Sequence, residues 1–296
     1  MDILQRLEKG GVLLLDGATG TELEKRGVPM DDAAWCATAL ATHPGVVREV
    51  HEDYIRAGAE VIITNTFPTA KHVLEEAGVG GRFRELNARA VELAKEAREN
   101  TADGPVYIAG SISTFPARLE LSYDPGEQRA RENYAEQAEV LATAGVDLIA
   151  LEMMRDLEQT EYAAEAAART GLPISLGFSC QRAEDGTLLL WDGHDTLAGA
   201  LGQSYVREAA LVSIMHTLVE DTGPALREVK EHWSGPVGAY PHHGEFIMPN
   251  WQFIDMISPE DFADEAQEWL GLGVQVVGGC CGIGPEHIRE LKRRIS

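Results

Sequence analysis

Cysteine is scarce in this sequence, with four residues in 296, at positions 36, 180, 280 and 281. So few thiols exclude a disulfide-stapled scaffold and raise the weight of metal binding or chemistry for those present. Positive charge is also short: 25 Lys and Arg stand against 48 Asp and Glu, a formal net charge of −23. A chain this acidic repels phosphate backbones and anionic lipid, so nucleic acid and membrane are excluded as expected partners. No apolar run is long enough to span a bilayer, and the opening MDILQRLEKGG lacks a secretory signal, which makes the cytoplasm the expected compartment. Repeats, low-complexity tracts and Pro/Ser-rich linkers are absent too, and a single domain over 1–296 is expected. Small molecules, and at most further copies of the chain, are the partners this composition favours.

What is present is an alternation. Short, nearly continuous apolar runs occur at 12–16, 60–66, 106–111, 146–152, 173–179, 210–216, 236–240 and 274–279. Each reads as a buried parallel strand. Amphipathic stretches at 43–59, 82–100, 126–145, 158–171 and 284–296 read as helices, several closing on Gly. Eight strands alternating with helices predict an α/β fold of the (β/α)8 barrel type. The competing doubly wound sheet is disfavoured because DGATGTE, after the first strand, is not a GxGxxG fingerprint.

Barrel enzymes carry their chemistry at the C-terminal ends of the strands. Those ends here are Asp16-Gly17, Thr64-Asn65-Thr66, Ser111-Ile112-Ser113, Glu152, Cys180, His216, Tyr240-Pro241-His242-His243 and Cys280-Cys281. The adjacent cysteines admit three readings: a vicinal disulfide, small core residues, or two ligands of one ion. The glycines around them favour the third, by letting the chain bend until both thiolates face the same way. Two sulfurs need a further ligand from another strand end; His216 leads, with Cys180, His242 and His243 behind it. Cys180 and Cys36 also fit as ordinary buried thiols, His242 and His243 as a solvated pair. Asn65, Ser111 and Ser113 fit as caps for strand-end backbone, Asp16 as a turn cap, Trp35 as a loop plug, and Glu152 as half of a salt bridge.

These residues carry a resemblance. LLLDGATGTELEKRG (13–27), Trp35 with HPGVVREVHEDYIRAGAEVIITNTF (43–67), DLIALEMMRDLEQTEYA (147–163) and GGCCGIGPEHI (278–288) occur in the order found in homocysteine S-methyltransferases. The chain resembles that family, which includes betaine–homocysteine and S-methylmethionine–homocysteine methyltransferases. The resemblance implies a (β/α)8 barrel, a Zn2+ cofactor that activates the homocysteine thiol, and methyl transfer from a sulfonium or quaternary ammonium donor to give methionine. It further implies that Glu152 and Asp16 serve catalysis by holding the amino group, with Gly17 near the carboxylate. Trp35 and Phe67 would line the donor pocket, and Thr66, Ser111 and Tyr240 are counted with the substrate site. His216, Cys280 and Cys281 would bind the metal.

Three departures from the family pattern stand out. His216 occupies the position of a third zinc cysteine, with Met215 in place of an asparagine; Cys2His is a chemically sound zinc set. Tyr240-Pro241-His242-His243-Gly244-Glu245 replaces Tyr-Pro-Asn-x-Gly-Glu, and Met153-Met154 follows Glu152. These changes leave open a different thiol acceptor or donor, loss of the metal with His216 as a base, or a catalytically weak binding barrel. A metal-dependent hydrolase is disfavoured because no H-x-H follows the first strand.

Overall fold

The computed structural model describes residues 2–116, 118, 120 and 125–295. All eight apolar runs contain strands: β1 Leu13–Leu14, β2 Val61–Ile63, β3 Tyr107–Ser113, β4 Leu148–Met154, β5 Ile174–Phe178, β6 Leu211–Leu218, β7 Val237–His242 and β8 Val276–Val277. They form one parallel sheet in the order β1-β8-β7-β6-β5-β4-β3-β2. A parallel bridge between Leu15 and Val61 joins the two ends. There Glu60 N donates to Leu14 O at 2.7 Å and Asp16 N donates to Val61 O at 2.9 Å. The expected (β/α)8 barrel is the fold observed.

Successive side chains on a strand alternate between interior and exterior. Leu13, Leu15, Tyr107, Ala109, Leu148, Ala150, Leu211 and Val276 form the apolar interior, against which Ile3 and Leu7 of the helix Ile3–Glu8 pack. The intervening residues, among them Leu14, Ile62, Ile108 and Ile149, belong to the larger core beneath the surrounding helices. The same alternation carries Glu152 and Tyr240 inward at the C-terminal ends of β4 and β7. Space for the Tyr240 ring comes from β5, where a Cβ on Gly177 would stand 2.8 Å from the Tyr240 hydroxyl.

The helices follow their sequence signals closely. Pro44–Ala57 starts on its proline and stops at Gly58, whose φ of 110° only glycine adopts readily. Phe83–Thr101, Glu127–Ala144 and Pro285–Ile295 match the other expected spans, and Ser296 lies outside the described residues. Leu157–Ala168 ends before the expected Gly171, which sits in a turn beyond the helix. Helices Val219–His232 and Pro259–Gly271 lie outside the expected list; Pro224 interrupts the pattern of the first. Two antiparallel hairpins also escape the pattern, Cys180–Arg182 with Leu188–Leu190 after β5 and Glu245–Ile247 with Asn250–Gln252 after β7.

Tyr54, fully buried on the helix Pro44–Ala57, ties two of the loops at the mouth together. Its hydroxyl lies 3.1 Å from both Ala18 O and Ile283 O, to which it donates. Tyr54→Phe leaves the ring in place and removes this link. We expect a loss of about 1–2 kcal/mol in stability, measured by urea unfolding; an unchanged midpoint would show that the hydroxyl does not hold the loops.

Candidate active site

The turn after β8 is stitched to strands on both sides. Gly278 N donates to Ala239 O at 3.0 Å, Gly279 N to Asp16 O at 3.0 Å and Cys280 N to Pro241 O at 2.7 Å. Of the flanking glycines expected to let the chain bend, Gly282 does so, whereas Gly278 and Gly279 have another role. A Cβ on Gly278 would lie 2.6 Å from Asp16 O, and one on Gly279 2.2 Å from the Ile283 side chain. They permit close packing, and the left-handed bend is made at Gly282, with φ 83°. The result places the sulfurs of Cys280 and Cys281 3.9 Å apart as free thiols.

His216 reaches the same point from β6. The register against β7 breaks between Met215 and Leu218, and His216 takes a φ of 42°. A side chain larger than glycine in this region costs of the order of 1–3 kcal/mol and persists only where its surroundings hold it. Ser179 Oγ donates to His216 O at 2.7 Å, Cys180 N donates to Thr217 Oγ1 at 3.0 Å, and Thr217 Oγ1 donates to Met215 O at 3.1 Å. His216 Nδ1 thereby lies 3.6 Å from Cys280 Sγ. The donor atoms of His216, Cys280 and Cys281 all fall within 4.8 Å of one another, a spacing that one metal ion can bridge.

The other candidate ligands stand apart. Cys180 is buried at the start of a hairpin, and His243 Nδ1 accepts from Ile257 N at 3.2 Å. His242 lines the cavity outside the donor trio, its ring tilted against that of His216 with centroids 4.4 Å apart and planes at 30°. Burial, with His242 beside it, lowers the His216 imidazole well below its usual range, which keeps it in the neutral form that binds metals. The neighbouring Cys281 and burial push the Cys280 thiol up, as a like pair without a cation should.

A second polar group faces them. Glu152 is buried, accepts a hydrogen bond from Ser111 Oγ, and is hydrogen-bonded to Tyr240. Burial raises its carboxyl from 4.5 to about 7 against these two bonds. Asp16 Oδ2 accepts from Ile63 N at 2.8 Å, while Oδ1 is buried without a partner. Burial, and then the charge of Glu152, holds the Asp16 carboxyl well above its usual range.

Between these groups lies a cavity of about 380 Å3. Of the residues that the sequence singles out, Gly17, Trp35, Phe67, Glu152, Tyr240, His216, Cys280 and Cys281 line it. Asp16, Thr66 and Ser111 stand behind its wall; the Thr66 hydroxyl is spent on Ser111 O at 2.7 Å and that of Ser111 on Glu152. Sequence reasoning missed most of the aromatic wall, Phe115, Trp191, Phe246 and Trp251. The hairpin register sets Phe246 opposite Trp251, with Trp35 at 5.6 Å from Phe246 between ring centroids. Three of the five Trp residues lie outside strands and helices or on short hairpins yet meet here, a clustering that composition alone does not reveal.

Residues 13–295 match the family model described as homocysteine S-methyltransferase. The chain belongs to the homocysteine S-methyltransferase family. Homocysteine S-methyltransferase of Escherichia coli (strain K12) is 32% identical over 97% of this chain and 96% of its own. Homocysteine S-methyltransferase 4 of Zea mays is 30% identical over 97% of this chain and 90% of its own. The structure of the Escherichia coli homocysteine methyltransferase MmuM in its metallated form superposes with a TM-score of 0.82 at 29% identity, covering 98% of each chain. Membership makes this protein a methyltransferase.

Ionisation of Glu152 should be visible in stability. With its carboxyl near 7 in the folded protein and near 4.5 when unfolded, both states are protonated below 4.5 and the penalty is absent. Between those values the unfolded chain ionises first, so stability falls as pH rises, by up to about 3 kcal/mol. Urea unfolding at pH 5 and pH 7.5 should show Glu152→Gln gaining on the parent at the higher pH. A pH-independent difference would mean that Glu152 is not a raised carboxyl.

Proposed function

We propose that this protein transfers a methyl group from a sulfonium or betaine-type donor to the thiol of homocysteine, giving methionine, with zinc held by His216, Cys280 and Cys281. The observation that carries this reading is the meeting of a His/Cys/Cys trio, a buried carboxyl and an aromatic wall in one cavity. The trio suits zinc in its spacing. Tetrahedral zinc, with sulfur at about 2.3 Å and nitrogen at about 2.0 Å, separates its sulfurs by about 3.8 Å and sulfur from nitrogen by about 3.5 Å. The corresponding separations here are 3.9 and 3.6 Å. Zinc bound there supplies a Lewis acid that lowers the pKa of a substrate thiol and leaves a coordination position for it.

The chain's own residues handle the rest. Glu152, fixed by Ser111 and Tyr240, presents a carboxylate to the ammonium of homocysteine, and the unpartnered Asp16 oxygen stands behind it. Arrival of that cation favours ionisation of Glu152 and reverses the effect of burial. Trp35, Phe67, Trp191, Phe246 and Trp251 offer π faces to a methylated cation. Among the described residues, neither Lys nor Arg lines the cavity, which suits a cationic donor. In the transfer the substrate sulfur forms a bond to the methyl carbon as the donor's bond to that carbon breaks. The donor leaves as a neutral thioether or a tertiary amine, and the thiol proton passes to solvent. Holding the two partners in line supplies much of the rate.

Two measurements test this. Elemental analysis should find close to one zinc per chain, falling at least severalfold in Cys280→Ala. Incubation of homocysteine with S-methylmethionine, S-adenosylmethionine, glycine betaine and dimethylsulfoniopropionate in turn should yield methionine with at least one. Activity that survives Cys280→Ala, or methionine from none of the donors, refutes the assignment. KM for homocysteine should also rise as pH falls below about 7 and Glu152 protonates, and this dependence should flatten in Glu152→Gln.

A further inference from the structure

Two of the positions that depart from the family pattern, 216 and 242, are 26 residues apart in the sequence and side by side in the barrel. The His242 ring lies tilted against the His216 ring, 4.4 Å between centroids and 30° between planes. Trp191 and Trp251 approach the same pair, at 5.3 Å from His216 and 5.9 Å from His242. His242 is 4% exposed; its ring meets the backbone of His216 in a hydrogen bond, and its Nδ1 has no partner among the described residues. A buried ring nitrogen without a partner is costly.

The need for it arises at His216. That residue has the left-handed φ described above, at the break in register between β6 and β7. Its carbonyl is held by Ser179 from β5's side, whereas its ring projects toward Cys280. An imidazole ligand, unlike a thiolate, must be held in its plane as well as in position for the ring nitrogen to point at an ion. Among the described residues, the ring nearest to it and closest to parallel is His242, ahead of Trp191 at 5.3 Å and Trp251 at 6.5 Å. We infer that His242 is a positioning residue for metal binding by His216, and that the two histidines work as one unit in place of a single sulfur ligand. The inference rests on His216, Cys280 and Cys281 binding zinc.

The test is a double-mutant cycle read by metal affinity. Zinc dissociation constants, from competition with a chromophoric chelator, are measured for the parent, His242→Ala, His216→Cys and the double variant. His242→Ala should weaken binding ~10–100-fold, the usual range for a residue that orients a ligand. In the His216→Cys background, where no ring needs orienting, the same change should cost less than about threefold, since the second site has lost its partner. His242→Phe, which keeps a flat ring of similar size, should stay within about threefold of the parent. The visible absorption of the cobalt-loaded protein should shift in His242→Ala and return toward the parent in His242→Phe. Equal losses in both backgrounds, or a His242→Phe as weak as His242→Ala, overturn the positioning role while leaving the zinc site standing. A parent protein that binds neither zinc nor cobalt overturns both readings, and thermal melts of the metal-free proteins separate a folding defect from either.

Discussion

The seam where β8 meets β1 and β7 is the constraint on which the site depends. Three backbone hydrogen bonds from Gly278, Gly279 and Cys280 run to Ala239, Asp16 and Pro241. They require a separation that no Cβ at the two glycines would allow. Once the seam is closed, the directions of both thiols follow from it. Tyr54 and Thr21 reinforce the seam from outside the barrel, the first through Ile283 O and the second by accepting from Gly282 N at 3.2 Å. The donor pair is therefore built on rigid backbone, as a metal site needs if its geometry is to survive loss of the ion.

Backbone strain gathers around the same cavity. Trp35, Met153 and His216 all line the cavity and all have positive φ, at 45°, 53° and 42°. β4 and β6 each lose register at their C-terminal ends, between Leu151 and Met154 and between Met215 and Leu218. Such irregularities turn a side chain away from the direction the regular pleat would give it. Here they belong to the two strands that bring Glu152 and His216 to the mouth, and Met153 N donates to Met215 Sδ at 3.0 Å, tying one irregularity to the other.

The electrostatics of the cavity are those of a site waiting for positive charge. Two carboxyls, Glu152 and Asp16, are buried here, the charge of Glu152 adds to the cost of ionising Asp16, and no Lys or Arg among the described residues lines the space. A substrate ammonium, a methylated donor and a divalent ion would each relieve part of that cost. The charge of −23 over the whole chain acts in the same direction at long range, although salt screens it beyond about 10 Å.

The barrel was legible in the sequence because its signals are local and repeated. Near-continuous apolar runs such as those ending at Glu152 and His216 read as buried parallel strands, and strand-end polarity marked Cys280, Cys281, Glu152 and Tyr240 without any coordinates. Hairpins three residues to a strand were too short to show a period, so Phe246 and Trp251, which they carry, went unseen. Local reading gives the flanking glycines one role, the bend that Gly282 makes; the close approach of Gly278 and Gly279 to Asp16 and Ile283 cannot be inferred from neighbours in the chain. The sequence by itself thus determined the kind of fold, the mouth at which the chemistry gathers and the residue types available there, through near-continuous apolar runs alternating with amphipathic helical stretches. Only the tertiary structure decided which of those residues meet: that His216 and not Cys180 or His243 joins the thiols, that Asp16 stands behind the wall, and that His242 lies against His216. Those outcomes depend on register breaks and packing distances between strands far apart in the chain, which local periodicity does not encode.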